Sequence, residues 1–228
     1  MKKLFPSTLA MAAMFAVLPS SDGATIATLF NTGVDAGGVA LGDDAADPHY
    51  TLVAGSGAVE TGTPLVVDGG FPIPPWVNNS ATVAWTGTTA TSALAPIDPN
   101  SGLINLYYET SFSLAGLDPT TAAISFNWAT DNLASDVLIN GISSGITNGT
   151  GFGSTEFETL NATQIAMLNG GTNTFTFVVA TNSVGGPDVD YFGLQVEFTT
   201  RTADAVPEPS SLALLGLGSL LGLRRRRA

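Results

Sequence analysis

The residues that could carry catalysis are few, because the chain has one histidine and no cysteine. Thiol catalysis and cysteine-ligated zinc are therefore excluded, and a Ser–His–Asp arrangement would have to be built around His49. His49 follows Asp47-Pro48, and an Asp before proline commonly accepts a hydrogen bond from the backbone two residues on. We expect Asp47 to close a turn at His49 in this way, and we predict that the chain is not an enzyme.

A second candidate site is the proline-rich segment Phe71–Ser80, which reads FPIPPWVNNS. Proline restricts backbone dihedrals, so this segment can hold Trp76 in a fixed position beside the amides of Asn78 and Asn79. An exposed indole offers a flat apolar surface to a sugar ring, and the amides offer hydrogen bonds. These three residues, together with His49, are the candidate ligand-binding residues. The alternative is that Trp76 folds back as a lid on the edge of the domain.

A third candidate is a cation site. Asp131, Asn132 and Asp136 supply the oxygen ligands that Ca²⁺ prefers, and in the sequence they bracket what reads as a tight loop. Their spacing is not that of an EF-hand loop. Asp and Asn are also the residues that ordinary β-turns favour, so the same residues have a structural explanation. Ca²⁺ is the cofactor that the sequence suggests, with these three residues as candidate ligands.

The middle of the chain is strongly acidic. Between Ala24 and Leu223 there are eighteen carboxylates and a single cation, Arg201, which gives a formal net charge of −17. Such a surface repels phosphate backbones and has no basic cluster that could displace counterions, so nucleic acid is excluded as a partner. Divalent cations remain attractive partners for the same surface.

The segments that position these residues alternate as half-buried strands do. The candidate strands are Ile104–Leu114, Ile124–Trp128, Phe175–Val179 and Leu194–Phe198, with shorter ones at Thr25–Asn31, Tyr50–Ala54, Ala81–Trp85 and Asp136–Asn140. Turn signals such as Asn140-Gly141 separate them, and only Ala162–Leu168 favours a helix, with Asn161 as its N-cap. This pattern predicts one all-β domain, an antiparallel jelly-roll-like β-sandwich, with Trp85 and Trp128 in its core.

The first 23 residues are typical of an export signal. Two lysines follow Met1, and Leu4–Leu18 is an apolar run of the length that a secretory signal needs. Ser21 and Gly23 are small residues at the third and first positions before a cut preceding Ala24, and Thr25-Ile26-Ala27 offers a second possible site. We therefore expect an exported protein, with a signal helix ahead of the sandwich.

The last 23 residues have three parts in a fixed order: a proline motif, an apolar run and an arginine cluster. Val206, Pro207, Glu208 and Pro209 form the motif, which we expect to be extended and accessible because proline stops the preceding strand. The predicted membrane-tail residues are Leu212, Leu215, Leu220, Leu223, Arg224, Arg225, Arg226 and Arg227. The apolar run is shorter than the roughly 20 residues of a full membrane span. Arginine side chains that extend to the membrane surface, together with local thinning of the bilayer, can make up part of the missing length. The positive-inside rule places the arginines in the cytoplasm.

This order of parts resembles the PEP-CTERM sorting signal of Gram-negative bacteria that make exopolysaccharide. The resemblance implies that a membrane protease of the exosortase type recognises Pro207-Glu208-Pro209. It also implies a transient inner-membrane anchor, formed by a C-terminal hydrophobic helix, and then delivery to the cell envelope or extracellular matrix.

The middle of the chain carries a second resemblance. Five short motifs resemble those of secreted, galactose-binding-like β-sandwich domains: Asp-Pro-His at 47–49, FPIPPW at 71–76, Trp-Ala-Thr-Asp-Asn at 128–132, Val-Leu-Ile-Asn-Gly at 137–141 and Gly-Thr-Asn-Thr-Phe at 171–175. The resemblance implies a jelly roll whose relatives often bind sugars, so a polysaccharide is an expected partner. Fold alone does not determine function.

Together these features divide the chain into three segments: a signal peptide at 1–23, a β-sandwich at 24–205 and a sorting tail at 206–228. We expect an exported envelope or exopolysaccharide-matrix protein whose middle domain is a non-catalytic carbohydrate-binding module. The alternative is an acidic structural matrix protein that is cross-bridged by divalent cations and has no specific sugar ligand.

Overall fold

A computed structural model describes residues 23–55, 61–67, 75–89, 104–181 and 191–206. The predicted signal helix lies outside these ranges. So do Pro207, Glu208, Pro209 and the whole membrane tail from Leu212 to Arg227. Within the described ranges, no helix is both long enough and apolar enough to cross a membrane.

The fold is an all-β sandwich of two antiparallel sheets, as the strand pattern predicts. The strands are β1 (Ala24–Thr25), β2 (Tyr50–Leu52), β3 (Leu65–Val66), β4 (Thr86–Gly87), β5 (Ile104–Ser113), β6 (Ala123–Asp131), β7 (Leu133–Ile139), β8 (Ile142–Ser143), β9 (Glu156–Thr159), β10 (Thr172–Thr181) and β11 (Gly193–Ala203). Sheet 1 has the order β3-β4-β11-β6-β9, with β1 also paired to β11, and sheet 2 has the order β2-β5-β10-β7-β8. A 3₁₀ turn at Pro119–Thr121 and a short helix, α1 (Ala162–Ile165), accompany the strands.

The core lies between the two sheets and follows the predicted alternation. On β5, the side chains of Leu106, Tyr108 and Phe112 are all at most 2% exposed. Phe177 on β10 contacts Phe126 and Trp128 on β6, with ring centroids 5.8 and 5.7 Å apart. Because β10 belongs to sheet 2 and β6 to sheet 1, these aromatic contacts join the sheets and remove a large apolar area from water.

A turn and a helix N-cap form where the sequence predicts them. Asn140 and Gly141 both have positive φ angles, 52° and 78°, and they make the tight turn of the β7–β8 hairpin. Asn161 caps α1 in a capping box: its side chain accepts from the backbone of Gln164, whose own side chain accepts from the backbone of Asn161.

Two predicted strands are wrong, because backbone N–H groups there form hydrogen bonds with a side chain or within a turn instead of with a neighbouring strand. In Ala81–Trp85, the backbone N–H of Trp85 donates to the side-chain oxygen of Asn79 at 2.9 Å, and the regular pairing starts only at β4. In Thr25–Asn31, strand pairing ends at Thr25, and the chain turns where the N–H of Leu29 donates to the carbonyl of Ile26.

Candidate functional site

Residues 75–80, the described part of the proline-rich segment, lie on the outward face of sheet 1, and the indole of Trp76 is not an open platform. Trp76 is 6% exposed, and its ring packs on Trp85 and Phe152, with centroids 4.5 and 6.4 Å away. Gly193 on β11 makes room for this tryptophan cluster (Trp76, Trp85 and Phe152). A Cβ at residue 193 would lie 2.9 Å from Trp85 and 3.3 Å from Trp76. The predicted exposed platform is therefore wrong. The indole folds back on the sandwich, as in the alternative, but it covers the face of sheet 1 at the inner strand β11 and not the edge of the domain.

The two amides beside Trp76 have different roles. The side-chain oxygen of Asn79 accepts from the backbone N–H of Trp85 and, at 3.4 Å, from the amide of Gln195 on β11. The amide of Gln195 also lies 3.4 Å from the backbone carbonyl of Asn78. Asn79 therefore fastens the loop to the sheet, whereas the side chain of Asn78 is exposed on the same face.

His49 lies at the start of β2, outside the tryptophan cluster. Its ring stacks on Phe30 with centroids 3.7 Å apart and planes 6° from parallel, and its Nε2 is buried without a hydrogen-bond partner. The predicted turn is confirmed, because the backbone N–H of His49 donates to Asp47 at 2.9 Å. The other oxygen of Asp47 accepts from the N–H of Gly33 at 2.7 Å. Both residues are thus engaged in holding the loop together.

The fully buried Asp47 makes stability depend on pH. Burial raises the pKa of Asp47 above its usual range, although the N–H groups of Gly33 and His49 oppose this by favouring the carboxylate. Burial and the neighbouring Glu156 also raise the pKa of Glu158. A raised folded-state pKa means that the folded protein binds protons more readily than the unfolded chain. The resulting contribution of Asp47 and Glu158 to the free energy of unfolding is fully present at low pH. It is lost as the pH rises through the folded-state pKa.

We therefore expect the free energy of unfolding to rise as the pH is lowered from 7 towards 4. Asp47→Asn should flatten this rise and lower stability at pH 7 by about 1–3 kcal/mol, because one amide cannot accept both N–H groups. Asp43→Asn, at an exposed position, is the matched control. Urea unfolding at several pH values measures the effect, and an unchanged slope in Asp47→Asn would contradict it.

The candidate Ca²⁺ ligands do not bracket one turn. Asp131 is the last residue of β6 and faces Gly193 in sheet 1, whereas Asp136 lies inside β7 and faces Val178 in sheet 2. Asn132 alone connects the two strands. The tight loop read from the sequence is therefore wrong, because both strands extend into it. Among the residues that the structure describes, no three His, Cys, Asp or Glu side chains are placed to hold a metal ion.

The same outward face of sheet 1 carries an aromatic side chain that the sequence interpretation missed. Phe157 on the edge strand β9 is 60% exposed and pairs with Asn127 on β6, which in turn pairs with Glu197 on β11. Directly paired residues share a face, so these three side chains form one row, the Phe157 row. Thr82 reaches this row, since its hydroxyl donates to Glu197 at 2.9 Å.

The sequence shows that Phe157 and its two glutamate neighbours lie on opposite faces, but not which face is exposed. Phe157 is the one apolar residue in the alternating segment Glu156-Phe157-Glu158, so its face is opposite to that of both glutamates. In the structure the glutamates lie on the core side of the edge strand, where inward-pointing charge discourages edge-to-edge pairing.

Comparison with known proteins gives one match. A family model described as the PEP-CTERM protein-sorting motif matches residues 205–227. No curated protein and no solved structure matches the chain. The tail therefore carries a sorting motif of this type, which indicates export, recognition by exosortase, a membrane enzyme, and a membrane-associated sorting step. The galactose-binding-like resemblance of the middle domain is not confirmed and stays a prediction.

Proposed function

We propose that this exported, exosortase-sorted protein displays a non-catalytic carbohydrate-binding module in the cell envelope or exopolysaccharide matrix. Its binding surface is the outward face of sheet 1, and the observation that carries the proposal is the exposed ring of Phe157 beside Asn127 and Glu197.

The chemistry of the Phe157 row suits a sugar. An exposed aromatic ring can stack on the apolar C–H face of a sugar, while an amide and a carboxylate bind its hydroxyl groups. Neighbouring strands lie about 4.8 Å apart, so the row from β9 to β11 extends about 10 Å along the surface. Asn78 is exposed at the Gln195 end of the same face and can add a further amide.

The non-catalytic part of the proposal rests on how the reactive residues are used. His49 packs on Phe30 with its Nε2 buried, and both oxygens of Asp47 accept backbone hydrogen bonds. Gly141–Gly145 has the Gly-x-Ser-x-Gly spacing, but Ser143 lies in strand β8 of a hairpin. A nucleophile elbow of that spacing requires a strand-to-helix turn, which this segment does not make.

The alternative function, an acidic matrix protein bridged by divalent cations, is favoured by the position of Arg201. This is the one cation between Ala24 and Leu223, and its guanidinium donates to the backbone carbonyl of Leu29. The surface carboxylates would then depend on external cations for compensation. In that case the protein would assemble only when calcium is present, and chelation would reverse the assembly.

The test is a glycan-array screen of the processed protein purified from its host, followed by variants. Phe157→Ala should weaken binding about five- to tenfold, because stacking contributes roughly 1 kcal/mol. Its matched control is Ile142→Ala, an exposed apolar residue on sheet 2. Sugar binding that survives chelation, is weakened in Phe157→Ala and is unchanged in Ile142→Ala supports the proposal. Equal affinity in both variants places the site elsewhere, and calcium-dependent assembly without sugar binding supports the alternative.

A further inference from the structure

The sorting motif begins inside the folded sandwich, with no linker between them. Beyond the end of β11, Ala205 forms a bridge with Leu117, and the N–H of Val206 donates to the carbonyl of Gly116 at 2.9 Å. Asp204 is held from both sides, since its N–H donates to the hydroxyl of Thr121 and its carbonyl accepts from Asp118. The family match starts at residue 205, so its first two residues belong to the fold.

This attachment limits how far the motif can extend from the sandwich. Pro207, Glu208 and Pro209 follow Val206 directly, and three residues span at most about 10 Å. The apolar run begins at Leu212, so the fold stands within about 20 Å of the membrane tail. A protease domain of even 100 residues would have a radius of gyration of about 13 Å. This exceeds the roughly 10 Å by which the motif can extend from Val206.

We propose that this end of the sandwich is a docking surface for the membrane protease that processes the tail. The tail-proximal surface consists of residues 116–121 and 203–206. A protease that binds Pro207–Pro209 must contact it, because the motif cannot move away from the fold. This proposal does not depend on sugar binding and goes beyond it.

The chemistry of the tail-proximal surface indicates what the protease presents. Asp118 accepts from the backbone and the hydroxyl of Thr120 at 2.9 and 2.7 Å, and these bonds lower the pKa of Asp118. Its carboxylate is therefore ionised at neutral pH, and the partly exposed Asp204 lies next to it, joined through the backbone. The protease is expected to meet this surface with basic or hydrogen-bond-donating groups, since an acidic surface would be repelled.

The test uses the full chain in its native host, and compares lysine substitutions with and without a linker. Asp204→Lys and, at an exposed position of the same surface, Thr120→Lys are made in the natural chain. They are also made in a chain with a 12-residue Gly-Ser insertion between Val206 and Pro207. Asp43→Lys is the control, because it lies near β3, which joins sheet 1 at the opposite end of β11. Pulse-chase labelling measures the half-time of tail removal.

In the natural chain, Asp204→Lys and Thr120→Lys should each slow tail removal at least threefold, and Asp43→Lys should leave it unchanged. With the linker, all variants should match their unsubstituted parent within twofold, because the protease can then reach the motif without touching the sandwich. Normal rates for both of these lysine substitutions in the natural chain would overturn the proposal. Equal slowing with and without the linker would also overturn it, because the substitutions would then act through export or folding.

Discussion

Trp76→Ala is expected to lower the free energy of unfolding by about 3–5 kcal/mol, the typical cost of removing a large buried aromatic side chain. The indole is 6% exposed and fills the space that Gly193 leaves open beside Trp85. Truncation would leave a cavity against two rigid rings, which the surrounding sheet cannot close.

Denaturant unfolding of the processed protein measures this loss, and Phe157→Ala is the matched control on the same face of sheet 1. Phe157 is 60% exposed, so its truncation should change stability by less than about 1 kcal/mol. Trp76→Ala is thus expected to affect stability, whereas Phe157→Ala is expected to affect only the proposed sugar binding. Equal unfolding midpoints for Trp76→Ala and the natural protein would contradict the buried position of the indole.

Glu208→Ala is expected to leave most of the protein with its tail attached. Glu208 is the only charged residue of the motif and lies between two prolines, so a recognising enzyme loses its one ionic contact there. Glu158→Ala, which removes a glutamate outside the motif, is the matched control. Immunoblots that distinguish tail-bearing from processed protein measure the fraction retained, and processing of Glu208→Ala at the natural level would contradict the prediction.

The sandwich could be predicted from the sequence because its strongest signals are local. Alternation along β5 identifies the buried side of the strand, and Asn140-Gly141 identifies a turn through the positive φ angles that it tolerates. The short strands β1 and β4 could not be predicted, because each pairs over only one or two residues with the distant β11.

One motif of the galactose-binding-like resemblance, Gly-Thr-Asn-Thr-Phe at 171–175, contains an asparagine with a structural role, which only the tertiary contacts show. Asn173 in the Gly-Thr-Asn-Thr-Phe motif is fully buried. Its amide donates to the carbonyls of Asn169 and Gly171, and its oxygen accepts from Asn169 and Asn140. This network joins the turn before β10 to the β7–β8 hairpin. Its partners are up to 33 residues away in sequence, so a local pattern cannot distinguish the network from a ligand site.

The candidate binding surface also depends on contacts between residues that are distant in the sequence. The sequence leaves Trp76 as either an exposed platform or an indole folded back on the domain. The choice between these two depends on Gly193, more than 100 residues further along the chain. Phe157 was missed because its exposure follows from the position of β9 at the edge of sheet 1, which alternation alone does not reveal.

The most direct test of export and tail sorting is the intact mass of the protein recovered from the surface of its native host. We predict a chain that has lost its signal peptide and ends near Pro207–Pro209, without Arg224, Arg225, Arg226 and Arg227. Surface protein whose mass still includes the four arginines would contradict sorting by tail removal.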